Sequence, residues 1–150
     1  MDSKLNSDQI IEIRKSLILF ASKLLGVKYE FGAEWLDLSE IPKSVDCSEL
    51  IEGIYNHYKI RMPDGSQNQY NFTVHSIEPK IGDLVFFGRG GNANKIYHVG
   101  MIYDEESVIE ARGFDPSANF ITGEVILRPI VRWKNYANFI GFRSHPKLVL

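Results

Sequence analysis

One cysteine, four histidines and a scatter of carboxylates are the groups in this chain suited to covalent chemistry. The cysteine, Cys47, lies in SVDCSELIEGIY, residues 44 to 55, directly after Asp46 and before Ser48. Asp46 and Glu49 are spaced as a helix N-cap and its reciprocal partner. Cys47 then falls in the first helical turn. Free backbone N–H groups and the positive end of the helix dipole favour a thiolate there, and they also suit an oxyanion formed beside the sulfur.

A thiol nucleophile needs a base, and the base needs an orienting partner. His57 lies at the far end of the helix that Cys47 opens, roughly 15 Å along its axis, and cannot reach the sulfur. His75 falls in a polar stretch, and His145 stands beside Pro146 at the end of a possible strand. His98 sits among apolar residues in a strand pattern, a rigid platform for a reactive side chain. Glu110 is twelve residues further, on the next strand. An odd number of residues in the intervening loop places the two on one sheet face, where Glu110 would fix the imidazole tautomer and favour the imidazolium. An even number removes that role. On this reading Glu110→Gln keeps the fold and weakens turnover.

Each of these residues also has a plain structural reading. Cys47 can be a small buried hydrophobe, His98 a satisfied strand residue, Glu110 a solvent-facing partner of Arg112, and Asp46 only a cap. One cysteine and dispersed histidines show no zinc-ligand spacing, so no metal and no cofactor is expected. FGRGGN, residues 87 to 92, is followed by neither a helix nor Lys-Ser/Thr, so it reads as a flexible turn and not a phosphate loop.

The elements that would position these groups change character along the chain. Residues 6 to 26 are helical in pattern: Asn6 can cap with Gln9, Ile10, Ile13, Leu17, Phe20, Ala21 and Leu24 recur at helical spacing, and Gly26 is a natural stop. Residues 27 to 46 look irregular. Residues 47 to 58 form a second helix with Leu50, Ile51, Ile54, Tyr55 and Tyr58 on one face, although Gly53 weakens it. MPDGSQNQYN, residues 62 to 71, reads as a loop. Five strand candidates follow: KIGDLVFFG, YHVGMIYD, SVIEARG, EVILRPI and ANFIGFRSH. Helices followed by a run of short antiparallel strands indicate an α+β fold. With no repeat or linker, residues 1–150 are expected to form a single domain.

Composition narrows the function classes. The 150 residues are 44% hydrophobic and 24% charged with a net charge of −2, which suits a compact core and argues against a nucleic-acid surface. One cysteine excludes an internal disulfide. The N-terminus lacks a signal-peptide pattern, and SLILFASKLL is too short and too charged at its flanks to span a membrane. The expectation is therefore no nucleic acid, no membrane and no export signal, which leaves action in the cytoplasm or after release by cell lysis.

Several segments together resemble the NlpC-type cell-wall cysteine peptidases of the papain-like superfamily. The family's Asp-Cys-Ser-Gly-Leu corresponds to DCSEL at 46–50, and its Gly-x-x-Tyr-x-x-Gly to GVKYEFG at 26–32. Pro-x-x-Ser-x-x-Gln corresponds to PDGSQNQ at 63–69, Pro-Gly-Asp-Leu-Val-Phe-Phe to PKIGDLVFF at 79–87, and His-Val-Gly-Ile-Tyr to HVGMIY at 98–103. The resemblance spans roughly residues 26 to 113 in the family's own order.

This resemblance implies a papain-like α+β fold with the nucleophile helix packed on an antiparallel sheet. It implies Cys47 as nucleophile, His98 as base and Glu110 as orienting residue, where the family more often has histidine, asparagine or glutamine. Tyr29, Asp46 and Ser48 would bind the free amino end of a peptidoglycan stem peptide. The implied activity is cysteine endopeptidase action on stem peptides or muropeptides, with the γ-D-glutamyl–diamino acid bond as the expected target. An amidase or acyltransferase on another substrate, or a phage tail module with weak turnover, are the alternatives. Glu49, in place of the usual glycine, has no evident role.

Overall fold

A computed structural model describes residues 4–113 and 123–149. The chain runs α1 (Ser7–Ser22), β1 (Lys28–Tyr29), β2 (Ser44–Val45), α2 (Cys47–His57), α3 (Ser66–Phe72), β3 (Val74–His75), β4 (Leu84–Gly88), β5 (Ile96–Ile102), β6 (Ser107–Arg112), β7 (Glu124–Pro129), α4 (Ile130–Lys134) and β8 (Phe139–Ser144). Short 3-10 turns occupy Arg89–Gly91 and Pro146–Leu148. The strands form one curled sheet in the order β2-β1-β7-β6-β5-β4-β8-β3, antiparallel except for the β1–β2 pair, which is parallel. Among the described residues no helix is long and apolar enough to cross a membrane.

α1 starts where its sequence dictates. The Asn6 side chain accepts from the Gln9 N–H, and the Gln9 side chain accepts from the Asn6 N–H, each at 2.9 Å. The helix ends at Ser22, short of Gly26, because the Lys23 and Leu24 N–H groups turn onto Phe20 and Ala21 in tighter bonds. Its apolar stripe holds one residue that periodicity alone does not flag: Arg14 is 4% exposed and pairs with Asp83 at 2.8 Å.

The LVFF run of β4 is apolar at every position because both of its faces are covered. Leu84 and Phe86 join the core beneath α1 and α2, while Val85 and Phe87 join a second core with Ile102, Val108 and Trp133. α2 packs on the first of these faces with Leu50, Ile51, Ile54 and Tyr55 fully buried. Gly53 belongs in this helix for a packing reason. The Trp35 ring lies against it so closely that an added Cβ would stand 1.9 Å from the ring.

Several polar segments depart from expectation. Residues 62 to 71 are not all loop, since α3 begins at Ser66 after Gly65 turns the chain at φ +85°. Its pinning residue is Gln69, fully buried, whose Nε2 donates to the Ser48 and Pro63 carbonyls at 2.9 and 3.0 Å. A helix held by one buried amide carries too few apolar residues to show a period. The irregular stretch 27 to 46 contributes the two short strands β1 and β2, and His75 lies in β3. Ile130, the last residue of the expected strand EVILRPI, lies beyond β7 and opens α4.

Candidate active site

Asp46 caps α2 as its spacing requires: Oδ1 accepts the Glu49 N–H at 2.7 Å and the Ser48 hydroxyl at 3.2 Å. Oδ2 accepts no hydrogen bond from any described residue, so the carboxylate keeps one oxygen for another task. The reciprocal half of the expected capping pair does not form. Glu49 turns away and accepts the Trp35 N–H at 2.7 Å, which ties the 30–43 segment to the first turn of α2. That is the structural role of the residue standing where the resembling family has glycine.

Cys47 opens α2 and is half-buried. With the Glu49 N–H taken by Asp46, the Cys47 and Ser48 N–H groups are the first-turn donors left for a ligand. Cys47 and His98 line one cleft of about 480 Å³ together with Tyr29, Phe87, Tyr97, Arg112, Arg128, Tyr136 and Asn138. Tyr29 stands close enough that burial, and then the negative charges of Cys47 and Asp46, push its hydroxyl pKa up.

His98 is positioned by β5 and Glu110 by β6. Met101 pairs with Ile109 and Ile102 with Val108, so an odd number of residues, 103 to 107, lies beyond the closing pair. The odd count puts both side chains on one sheet face, and His98 Nε2 meets Glu110 Oε1 at 3.1 Å. Nδ1 is then the nitrogen left for Cys47. Burial works against the imidazolium, but hydrogen bonding to Cys47 and Glu110 and the negative charges of both raise the His98 pKa to about 9.

Glu110 is fully buried and does not face solvent. Arg128 grips it with two hydrogen bonds, Nε to Oε2 and Nη2 to Oε1, both 2.9 Å. Trp133 Nε1 donates to Oε2 at 2.6 Å. Burial alone would raise the carboxyl pKa. The hydrogen bond and charge of His98, the charge of Arg128 and the Trp133 donor hold it below the ordinary carboxylate range. Trp133 also stacks on the His98 ring, with centroids 5.3 Å apart and planes 16° apart.

Arg128 and Trp133 were not anticipated. A signal for Arg128 existed: pairing EVILRPI with SVIEARG sets Glu110 opposite Ile126, and alternation then brings Arg128 to the face of Glu110. Trp133, on a helical turn after β7, left no such signal. The other histidines serve elsewhere. His57 stacks on Phe20 at 3.9 Å, and buried His145 bonds the Arg61 carbonyl at 2.7 Å.

Among the described residues, one group could offer a cation three carboxylates: Glu49, Glu52 and Asp64, whose oxygens lie within 4.8 Å of one another. Burial, followed by the charges of Glu49 and Asp64, raises the Glu52 pKa to about 8. A proton therefore relieves the repulsion in this group at neutral pH.

Residues 26–125 match the profile of the NlpC/P60 family. The chain is 29% identical over 117 residues to peptidoglycan endopeptidase RipB of Mycobacterium tuberculosis, an alignment covering 72% of this chain and 46% of that protein. It thus spans about half the length of the curated relatives it matches. The solved structure of RipB superposes with a TM-score of 0.69 at 24% identity, covering 93% of this chain and 67% of that one. An NlpC/P60 family protein from Bacillus cereus gives 0.70 at 22% identity, covering 88% and 40%. The P60 domain of a Mycobacterium avium subspecies paratuberculosis antigen gives 0.68 at 21% identity, covering 91% and 96%.

Proposed function

The chain belongs to the NlpC/P60 family, and from that premise we propose that it is a cysteine endopeptidase acting on bacterial peptidoglycan stem peptides, with the γ-D-glutamyl–diamino acid amide as target. The observation that carries this reading is the line Cys47–His98–Glu110, in which a first-turn cysteine faces an imidazole held by a buried carboxylate. A relative named as a peptidoglycan endopeptidase supports the substrate class.

In the proposed reaction the Cys47 thiolate attacks the amide carbonyl carbon. The carbonyl oxygen becomes an oxyanion facing the Cys47 and Ser48 N–H groups. The His98 imidazolium gives its proton to the leaving amine as the C–N bond breaks, leaving an acyl-thioester. His98 then takes a proton from water, and the resulting hydroxide releases the acyl group. Asp46 Oδ2, Tyr29 and Ser48 would receive the free ammonium of the stem peptide.

Mass spectrometry of purified muropeptides after incubation with wild type and Cys47→Ala tests the reading. The expected result is a new amine and a new carboxyl terminus in the wild-type digest only. Absence of cysteine-dependent cleavage of every stem peptide would sink it.

A further inference from the structure

A carboxylate offers about four acceptor sites, and four donors reach those of Glu110. Oε1 accepts His98 Nε2 at 3.1 Å and Arg128 Nη2 at 2.9 Å. Oε2 accepts Arg128 Nε at 2.9 Å and Trp133 Nε1 at 2.6 Å. An amide has one acceptor oxygen and could not meet all four. One stretch of chain delivers both outer residues, Arg128 from the end of β7 and Trp133 from the α4 turn that follows. Trp133 is fully buried and Arg128 is 6% exposed. The indole fits over His98 because Gly100, two residues along β5, has no side chain: a Cβ there would stand 2.9 Å from Trp133 Cζ2. Aromatic rings fix the guanidinium in turn, its Cζ lying 5.7, 4.9 and 5.5 Å from the centroids of Phe87, Trp133 and Tyr136.

The arrangement sets a charge balance. The titratable groups around the His98–Glu110 pair are Cys47 from α2, Arg128 from β7, Arg112 on β6 itself, and Tyr29, Tyr97 and Tyr136 along the same cleft. Burial disfavours the imidazolium, and the hydrogen bonds and charges of Cys47 and Glu110 more than offset it. A buried carboxylate with no cation bound to it would take up the proton itself or hold it on the imidazole against transfer. Arg128 shares Oε1 with His98 and cancels the carboxylate's charge. The Glu110–Arg128 pair is thus an acceptor of zero net charge, able to orient the ring without retaining its proton.

We propose that Arg128, assisted by Trp133, is a positioning residue of the peptidase reaction: its charge on Glu110 lets His98 pass its proton to the leaving amine, where an uncompensated carboxylate would keep it. The inference rests on the peptidase reading for the leaving group, but the state of the imidazole is measurable without substrate.

The test pairs an NMR titration of the His98 ring in the free protein with steady-state kinetics on a stem peptide. Arg128→Met removes the charge and keeps an unbranched side chain among the rings. Its His98 midpoint should rise by about one pH unit or more, and kcat should fall roughly tenfold or more with KM nearly unchanged. Arg128→Lys keeps the charge and should hold the midpoint near the wild-type value. Trp133→Phe keeps the ring stack and removes one neutral donor, so its midpoint should rise by less than that of Arg128→Met. Glu110→Gln combined with Arg128→Met buries neither charge, and its midpoint should lie above that of Glu110→Gln alone. This last comparison decides the matter if Arg128→Met does not fold. A wild-type midpoint in Arg128→Met, or a double variant no higher than Glu110→Gln, overturns the proposal, because a purely structural ion pair would cost stability and leave the proton's affinity as it is. A loss of activity carried by KM overturns it as well. Wild-type cleavage with unmoved midpoints removes the positioning role and leaves the peptidase reading standing. Midpoints that move as expected, without cleavage of any stem peptide, keep the charge balance and remove the peptidase reading.

Discussion

His98 is held from three sides: Glu110 at Nε2, the Trp133 ring against its plane and Phe87 at 5.9 Å. Its pKa in the fold, about 9, lies above the ordinary 6.5. The stabilising contribution of the imidazolium is therefore fully present below about pH 6.5 and is lost as pH rises through about 9. We predict a basic limb near pH 9 in the kcat/KM profile, measured on a chromogenic stem-peptide analogue. Glu110→Gln should shift that limb to lower pH, because a neutral amide holds the imidazolium less strongly. The same variant leaves Arg128 buried without its counter-charge, a loss of about 3 to 5 kcal/mol of stability. Read from spacing alone, this substitution keeps the fold; the buried Arg128–Glu110 pair makes it costly to the fold as well. An unmoved basic limb in a folded Glu110→Gln protein would remove Glu110 from the site.

Within α2, local propensity and packing make opposite predictions at one residue. Alanine is better than glycine inside a helix by about 1 kcal/mol. At position 53 the added Cβ would drive into the Trp35 ring, and overpacking of this kind costs about 1 to 3 kcal/mol or more. Packing wins because the ring is also fixed by its indole N–H, which donates to the Asp37 and Glu40 carbonyls. Gly53→Ala should therefore lower Tm, by roughly 2 to 4 °C per kcal/mol lost, and alter Trp35 fluorescence. A rise in Tm would show that the ring yields and that helix propensity governs. Glu49 belongs to the same device, since it bonds the Trp35 backbone N–H. The element that presents Cys47 is thus braced by the segment following Tyr29, in a stretch whose sequence looks structureless.

Across the whole molecule, α1 and the C-terminal turn are joined to the sheet by one buried ion pair. Arg14 bonds Asp83 and the Ile81 and Leu148 carbonyls, each at 2.8 Å. Asp83 also accepts from Ser144 at 2.7 Å, the Lys80 N–H at 2.8 Å and Ser76 at 3.2 Å. The aspartate of the GDLVFF segment is therefore a structural hub, with Tyr55 donating to the adjacent Gly82 carbonyl. Asp83→Ala would leave Arg14 buried without its counter-charge, and should cost about 3 to 5 kcal/mol in urea unfolding. Activity per folded molecule should persist at low temperature. Lost activity in a fully folded variant would mean that this hub also shapes the cleft.

What the sequence determined by itself was everything with a short-range or periodic signature. Capping chemistry located the starts of α1 and α2 and placed Cys47 in a first turn. A continuous apolar run located β4, and alternation located β5 and β6. The spacing of twelve made His98 and Glu110 candidates for one face, but only the β5–β6 register, with its odd loop, settled that they share it. Tertiary structure decided what depends on partners distant in the chain. It alone brought Arg128 and Trp133 onto Glu110, set Trp35 against Gly53, and folded the polar 66–72 segment around buried Gln69. A buried polar contact leaves no period in the sequence, because its two halves are chosen for each other and not for their neighbours.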